Sequence, residues 1–188
     1  DLVKYAFALF LNHDFAKSLE VANMGLKKNP RHAAFNRLAM YNNTDLKRFE
    51  EALKAADAFF NECDKADYSY LDYMYYGHLL EELKKYDEAV GQYEKAVELA
   101  PTKTDLYKNI SSAYEQKNDY KKAIGAYHKY YSSLEKEKQT PDLQFQLGRL
   151  YYGAGTQLDS LTINAEERKQ ALMSADSVFQ VISEAAPD

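Results

Sequence analysis

Tryptophan is absent from this chain of 188 residues, cysteine occurs once, and there are only 7 glycines and 4 prolines. So little turn chemistry argues against a many-stranded sheet. The lone Cys63 excludes an intrachain disulfide framework and a thiolate metal cluster, leaves the redox compartment open, and is read as a small buried hydrophobe. An excess of basic charge is missing too. With 24 Lys and Arg against 29 Asp and Glu, a net charge of −5 and a pI near 5.5, the chain lacks the electrostatic footprint of a nucleic-acid or anionic-membrane binder. No stretch reaches the roughly 18 consecutive apolar residues of a membrane span, so we expect a soluble chain without membrane insertion. The first residue, Asp1, is not methionine, and we read the chain as a processed or partial one whose targeting segment lies elsewhere.

The parts of an active site are equally sparse. His13, His32, His78 and His128 are scattered along the chain, and none has a second histidine nearby. His78 and Glu82 share a helix face, but a pair without a third ligand is read as an ordinary surface contact. Gly153 and Gly155 follow a helix rather than a strand, which excludes a phosphate-cradling loop. We therefore expect no catalytic, cofactor-binding or metal-binding residues, and no enzyme. Asn42-Asn43-Thr44 and Asn109-Ile110-Ser111 match a glycosylation pattern by chance, and the charged run from Glu135 to Lys138 reads as a solvated helix end.

What the chain has in abundance is aromatic bulk, 17 Tyr and 9 Phe, set among Ala, Leu, Lys, Glu and Gln, which favour helix. It also repeats itself. A small residue recurs at Ser18, Ala52, Ala89 and Ala123, each with an aromatic three positions earlier at Phe15, Phe49, Tyr86 and Tyr120. Four positions later come Ala22, Ala56, Tyr93 and Tyr127. A second series, Ala6, Met40, Gly77, Ser111 and Gly148, runs upstream at intervals of 34, 37, 34 and 37 residues. Each unit thus reads as two helices, the small residue of one admitting the other and an aromatic filling the space between.

These residues resemble the tetratricopeptide repeat family, whose signature of about 34 residues sets aromatic, Leu, Gly and Tyr on a first helix and Ala, aromatic and Pro on a second. The fullest match is Tyr73, Tyr76, Gly77, Leu80, Tyr86, Ala89, Tyr93, Ala96 and Pro101, followed by Tyr107, Ile110, Ser111, Tyr114, Tyr120, Ala123 and Tyr127. The resemblance implies an all-α, right-handed superhelical solenoid of about five antiparallel helix pairs. The units fall at about 1–31, 32–67, 68–102, 103–140 and 141–188 of a single solenoid.

Helices are expected at 2–12, 15–29, 32–43, 46–65, 69–84, 87–99, 103–117, 120–138, 142–153 and 165–185. The two longer intervals are taken up by extending the second helices through Phe59–Ala66 and Tyr130–Lys138. In the last unit Gly153 and Gly155 end a helix, an inserted loop covers about 153–164, and Asn164 with Glu167 caps the helix that follows. Apolar Val178, Phe179, Val181 and Ile182 near the end suggest that the native chain continues beyond Asp188, and an exposed terminal helix could drive self-association.

The resemblance also implies a function. The family's first helices line a concave surface, and their inward positions carry across to Phe7, Phe10, Arg37, Tyr41, Met74, His78, Glu81, Glu82, Lys108, Ser112, Phe145, Arg149 and Tyr152. Tyr and Arg are frequent interface anchors. The expected activity is non-catalytic: an adaptor that binds a peptide or protein segment on that face. Some members of the family clamp a terminal carboxylate with Lys and Asn. Here only Lys108 with Asn109 matches, and Met74 and His78 occupy the preceding places, so binding of chaperone tails is not expected. The alternative is a scaffold in a bacterial envelope complex, acting through the solenoid's ends or its convex surface. Tyr-, Asn- and Lys-rich repeats resemble bacterial tetratricopeptide proteins, several of which are exported, which favours the periplasm or envelope over the cytoplasm.

Overall fold

A computed structural model describes residues 1–63, 67–157 and 163–185, and among them there are helices and no strand. The chain divides into two compact units, Asp1–Leu99 and Ala100–Asp188. The first unit holds α1 (Leu2–Leu11), α2 (Phe15–Lys28), α3 (Ala33–Asp45), α4 (Phe49–Asp57) with a π-helical turn at Ala58–Glu62, α5 (Tyr70–Glu82) and α6 (Tyr86–Leu99). The second holds α7 (Leu106–Gln116), α8 (Tyr120–Ser133), a short 3-10 turn at Lys136–Lys138, α9 (Pro141–Thr156) and α10 (Ala165–Ala185). Within each unit, consecutive helices pack in antiparallel pairs, and α3 also touches α1 and α5.

Each pair crosses at the expected small residues. Ala6, Ala52, Ala89 and Ala123 are fully buried, and a Cβ on Gly77 would stand 2.7 Å from the Tyr93 ring. Glycine is needed there because the ring occupies the space a side chain would take. Where serine replaces a small residue its hydroxyl bonds the opposite helix. Ser18 on α2 donates to the carbonyl of Ala6 on α1 at 2.8 Å, and Ser111 on α7 donates to that of Ala123 on α8 at 2.8 Å.

The turn inside each of the first four pairs is equally regular. His13, Lys47, Lys84 and Asn118 all adopt positive φ, between 57° and 63°. In each case the following amide reaches back five residues, as Asp14 N–H does to Leu9 O and Lys85 N–H to Leu80 O, which is the Schellman pattern of helix ends. A lysine pays a conformational cost there that glycine avoids. Lys84→Gly should therefore stabilise the first unit by about 0.5 to 1 kcal/mol. The measurement is a higher denaturant midpoint at unchanged slope; an unchanged or lower midpoint would refute it.

Two expectations about length need correction. The second helices do not grow to absorb the longer intervals. After Asp57 the chain widens into the π-helical turn, closed by Cys63 N–H to Ala58 O at 3.0 Å. Cys63 then turns extended. The turn buries Phe59 and sets Phe60 against Tyr73 and Tyr76, at 5.4 and 5.2 Å between ring centres. Residues 64–66, the end of the expected extension, lie outside the described residues. Likewise α8 stops at Ser133, because the Ser133 hydroxyl takes the carbonyl of Tyr130 and the Gln139 amide takes those of Tyr131 and Leu134. Local side-chain capping thus outweighs the helix preference of the Lys-Glu run.

In the last pair α9 continues through Gly153 and Gly155 to Thr156, three residues past the expected stop. Both glycines are contact points: Gly153 lies under Tyr120 and Gly155 under Leu172. The expected cap of α10 is present, with Glu167 N–H donating to Asn164 Oδ1 at 2.9 Å and Asn164 N–H donating to Glu167 Oε2 at 2.8 Å. Residues 158–162 of the expected insert lie outside the described residues. The Asn42-Asn43-Thr44 triplet is buried in α3, where a glycan has no room.

Candidate functional site

In the first unit the positions carried across from the family sit on α1, α3 and α5. Phe7 is exposed, and its ring centre is 6.1 Å from that of the half-buried Phe10. Phe10 in turn lies 5.5 Å from Tyr41 and 6.0 Å from Tyr75, and these two tyrosines stack at 4.1 Å. The row ends in a polar margin, where the Tyr75 hydroxyl donates to Asp45 at 3.1 Å. His78 and Glu82 are exposed and Met74 is half-buried. Glu81 accepts a hydrogen bond from the Tyr93 hydroxyl at 2.8 Å.

Two of the expected contact residues are occupied internally. Tyr41 is only 2% exposed, so it supports the aromatic row from beneath instead of offering itself to a partner. Its hydroxyl donates to Asp72 Oδ1 at 2.6 Å. Burial and the Asp72 carboxylate push that hydroxyl above its ordinary range, which keeps it a donor. Arg37 is half-buried and makes a forked pair with the same carboxylate, at 2.6 Å from Nε and 2.9 Å from Nη2. It also donates to Asp67 O at 2.7 Å and lies 5.0 Å over the Phe59 ring.

Asp72 has no solvent exposure, and its oxygens also accept from the backbone and hydroxyl of Ser69 at 2.7 and 3.0 Å. Every lone pair of this buried charge is answered, the condition for tolerating it. The Ser69 and Asp72 spacing is a capping-box pattern that sequence reasoning passed over. Tyr75 was also missed, since no family position marks it. Its signal is the aromatic crowding of α5, where rings at 70, 73, 75 and 76 spread around the helix so that one must face α1 and α3.

In the second unit Phe145 and Tyr152 on α9 are exposed, and Phe145 lies 5.6 Å from Phe179. Arg149 makes a forked pair with Glu115 on α7, at 2.5 and 3.0 Å, and a further bond to Gln146 at 3.0 Å. Lys108 is exposed, with its ammonium 5.2 Å over the Tyr130 ring. Ser112 is half-buried on α7. His128 and Tyr151 are 2.6 Å apart, and burial lowers the imidazole's pKa. Among the described residues no three His, Cys, Asp or Glu side chains are placed to hold a metal ion, and no helix is long and apolar enough to cross a membrane.

Comparison with known proteins fits this geometry. Residues 70–103, which span α5 and α6, match the family model described as tetratricopeptide repeat. No curated protein matches the chain. Among solved structures, the C-terminal part of a tetratricopeptide repeat-containing protein from Cytophaga hutchinsonii is similar over 98% of this chain, with a TM-score of 0.74 and 24% identity. The chain spans 65% of that structure's length. The MamA protein of Desulfovibrio magneticus is similar over 98% of this chain and 94% of its own, with a TM-score of 0.69 and 16% identity. YrrB, described as a tetratricopeptide-repeat protein with an unusual peptide-binding site, is similar over 98% of this chain and 89% of its own, at 0.70 and 13%. Residues 70–103 are a tetratricopeptide repeat, and the chain that carries them has the fold of tetratricopeptide-repeat proteins.

Proposed function

We propose that the chain is a non-catalytic interaction module that holds peptide or protein segments against the faces of the first helices within a unit, α1, α3 and α5 in the first and α7 and α9 in the second. The observation that carries this reading is the aromatic row of the first unit. Phe7, 44% exposed, opens a continuous series of rings through Phe10 to Tyr75, and its margin carries Asp45 and His78. Rigid rings over a packed base with a polar edge are what interface hot spots are made of. The peptide-binding site named for YrrB supports the same kind of partner. In the second unit Phe145 and Tyr152 offer the corresponding anchors.

A scaffold role in a bacterial envelope assembly is favoured by a different observation, the exposure of Leu172, Met173 and Val181 on α10. Affinity capture from a lysate of the source organism separates the two. The wild type is compared with Phe7→Ala/His78→Ala, with Phe145→Ala/Tyr152→Ala, and with Met173→Glu/Val181→Glu, all confirmed folded by circular dichroism. A partner lost by either aromatic variant and kept by the α10 variant is the expected result. A partner, or self-association, lost only by the α10 variant would replace it with the scaffold reading.

A further inference from the structure

On another face of α3 the first unit has a second feature, unrelated to the aromatic row. Both α2 and α4 pack on α3, and between them lies a trough of about 350 Å³ floored by α3, within the size range of ligand sites. Leu19 and Leu26 give it an apolar wall, and the exposed Arg48, Glu51 and Lys54 stand at its rim. Two asparagines of α3 line it. Asn36 is 4% exposed and Asn43 is 6% exposed.

The bonding of these two amides sets them apart. The Asn36 nitrogen donates to the carbonyls of Pro30 and His32, at 2.8 and 3.3 Å, and to the sulfur of Cys63 at 3.3 Å. Its oxygen accepts nothing among the described residues. The Asn43 side chain has no hydrogen-bond partner at all among them, whereas the Asn42 nitrogen donates to the Ser18 hydroxyl and the Thr44 hydroxyl to Met40 O. Neither group is sealed into the packed interior, so a partner that enters the trough can reach both. Here the unanswered atoms border the trough.

We propose that this trough is a second binding site, for an extended peptide segment whose backbone hydrogen-bonds the two amides. Asn36 presents an acceptor and takes a backbone N–H; Asn43 has both donor and acceptor to offer a peptide unit. Seven residues separate them on one helix face, about 10.5 Å along its axis. A polyproline-II-like segment repeats every three residues, about 9 Å, so backbone groups three apart meet the two amides in turn. The acceptor at Asn36 excludes proline and free anions from that place. The apolar wall takes a side chain between the two amides, and the mixed-charge rim of Arg48, Glu51 and Lys54 takes a polar one. This site does not rest on the aromatic-row reading, and the two fail separately.

The test is selection of a phage-displayed library of short linear random peptides on the whole chain, followed by affinity measurement with the synthetic peptides selected. Binding should weaken about tenfold or more in Asn43→Leu, the loss of one or two buried hydrogen bonds. It should also be blocked by Asn23→Trp, which covers the trough from an exposed position on α2, and be unchanged in Phe7→Ala/His78→Ala. Asn43→Leu should melt no lower than the wild type, since no internal bond is removed. Peptides that lose affinity only with Phe7→Ala/His78→Ala, or a selection yielding none that needs Asn43, would overturn the proposal. A clear fall in melting temperature for Asn43→Leu would overturn it as well, because the amide would then be structural.

Discussion

Asp72→Ala should destabilise the first unit by about 3 kcal/mol, the low end of the cost of breaking a buried ion pair from one side, because the carboxylate is buried while Arg37 keeps part of its surface in water. The loss exceeds that of a surface salt bridge because five donors converge on this carboxylate, two from Arg37, one from Tyr41 and two from Ser69. Removing it leaves a guanidinium with half of its fork unanswered and a Tyr41 hydroxyl facing a void. Exchanging the whole set is a different matter. In Arg37→Met/Tyr41→Phe/Asp72→Leu no charge is left unpaired, and most of the stability should return. Denaturant unfolding followed by circular dichroism measures both. A single-variant loss under about 1 kcal/mol would show that water reaches the carboxylate and that the network is peripheral.

The second large effect is expected at Tyr93→Ala, on the order of 3 to 5 kcal/mol, as for other large core aromatics. The ring is 1% exposed and fills the gap between α5 and α6 against Gly77. Tyr93→Phe isolates the hydroxyl. It removes the bond to Glu81, which sits at the half-buried surface and can turn to water, so a loss near 1 kcal/mol is expected. Adding bulk from the other side, as in Gly77→Leu, should hurt about as much as deleting the ring, since the ring cannot yield without leaving its rotamer. A small effect of Tyr93→Ala in denaturant unfolding would mean that the α5 and α6 crossing tolerates a cavity.

The crossing points of the helix pairs were legible because a close approach can be made only by a few residue types. Small residues opposite aromatics at a fixed spacing leave little choice of register, and Gly77 with Tyr93 shows the rule at its strictest. Lengths were less legible. The extra residues before α5 and α9 fall in the links 63–69 and 134–140, after second helices of the usual length, where burial of Phe59 and the bonds of Gln139 decide how each helix ends. Neither is visible as a period. The glycines of α9 misled for a related reason: Gly153 and Gly155 read as a stop signal, but their lack of a side chain serves contacts with Tyr120 and Leu172. At the candidate site the family spacing identified which positions sit on the first helices. It could not say that Asp72, 35 residues from Arg37 and 31 from Tyr41, would claim both of them.

The hydroxyls of Ser18 and Ser111 carry one more consequence. Ser18 stands on the second helix of its pair and Ser111 on the first of its own, and each bonds the carbonyl across the same crossing at 2.8 Å. The bond's direction is reversed between the two pairs while the crossing is kept. The constraint therefore belongs to the couple and not to either column of the repeat: one partner is free to be serine as long as the other stays small. Natural relatives should show this as covariation, with hydroxyl and alanine trading places across the crossing and bulky residues absent from both sides at once.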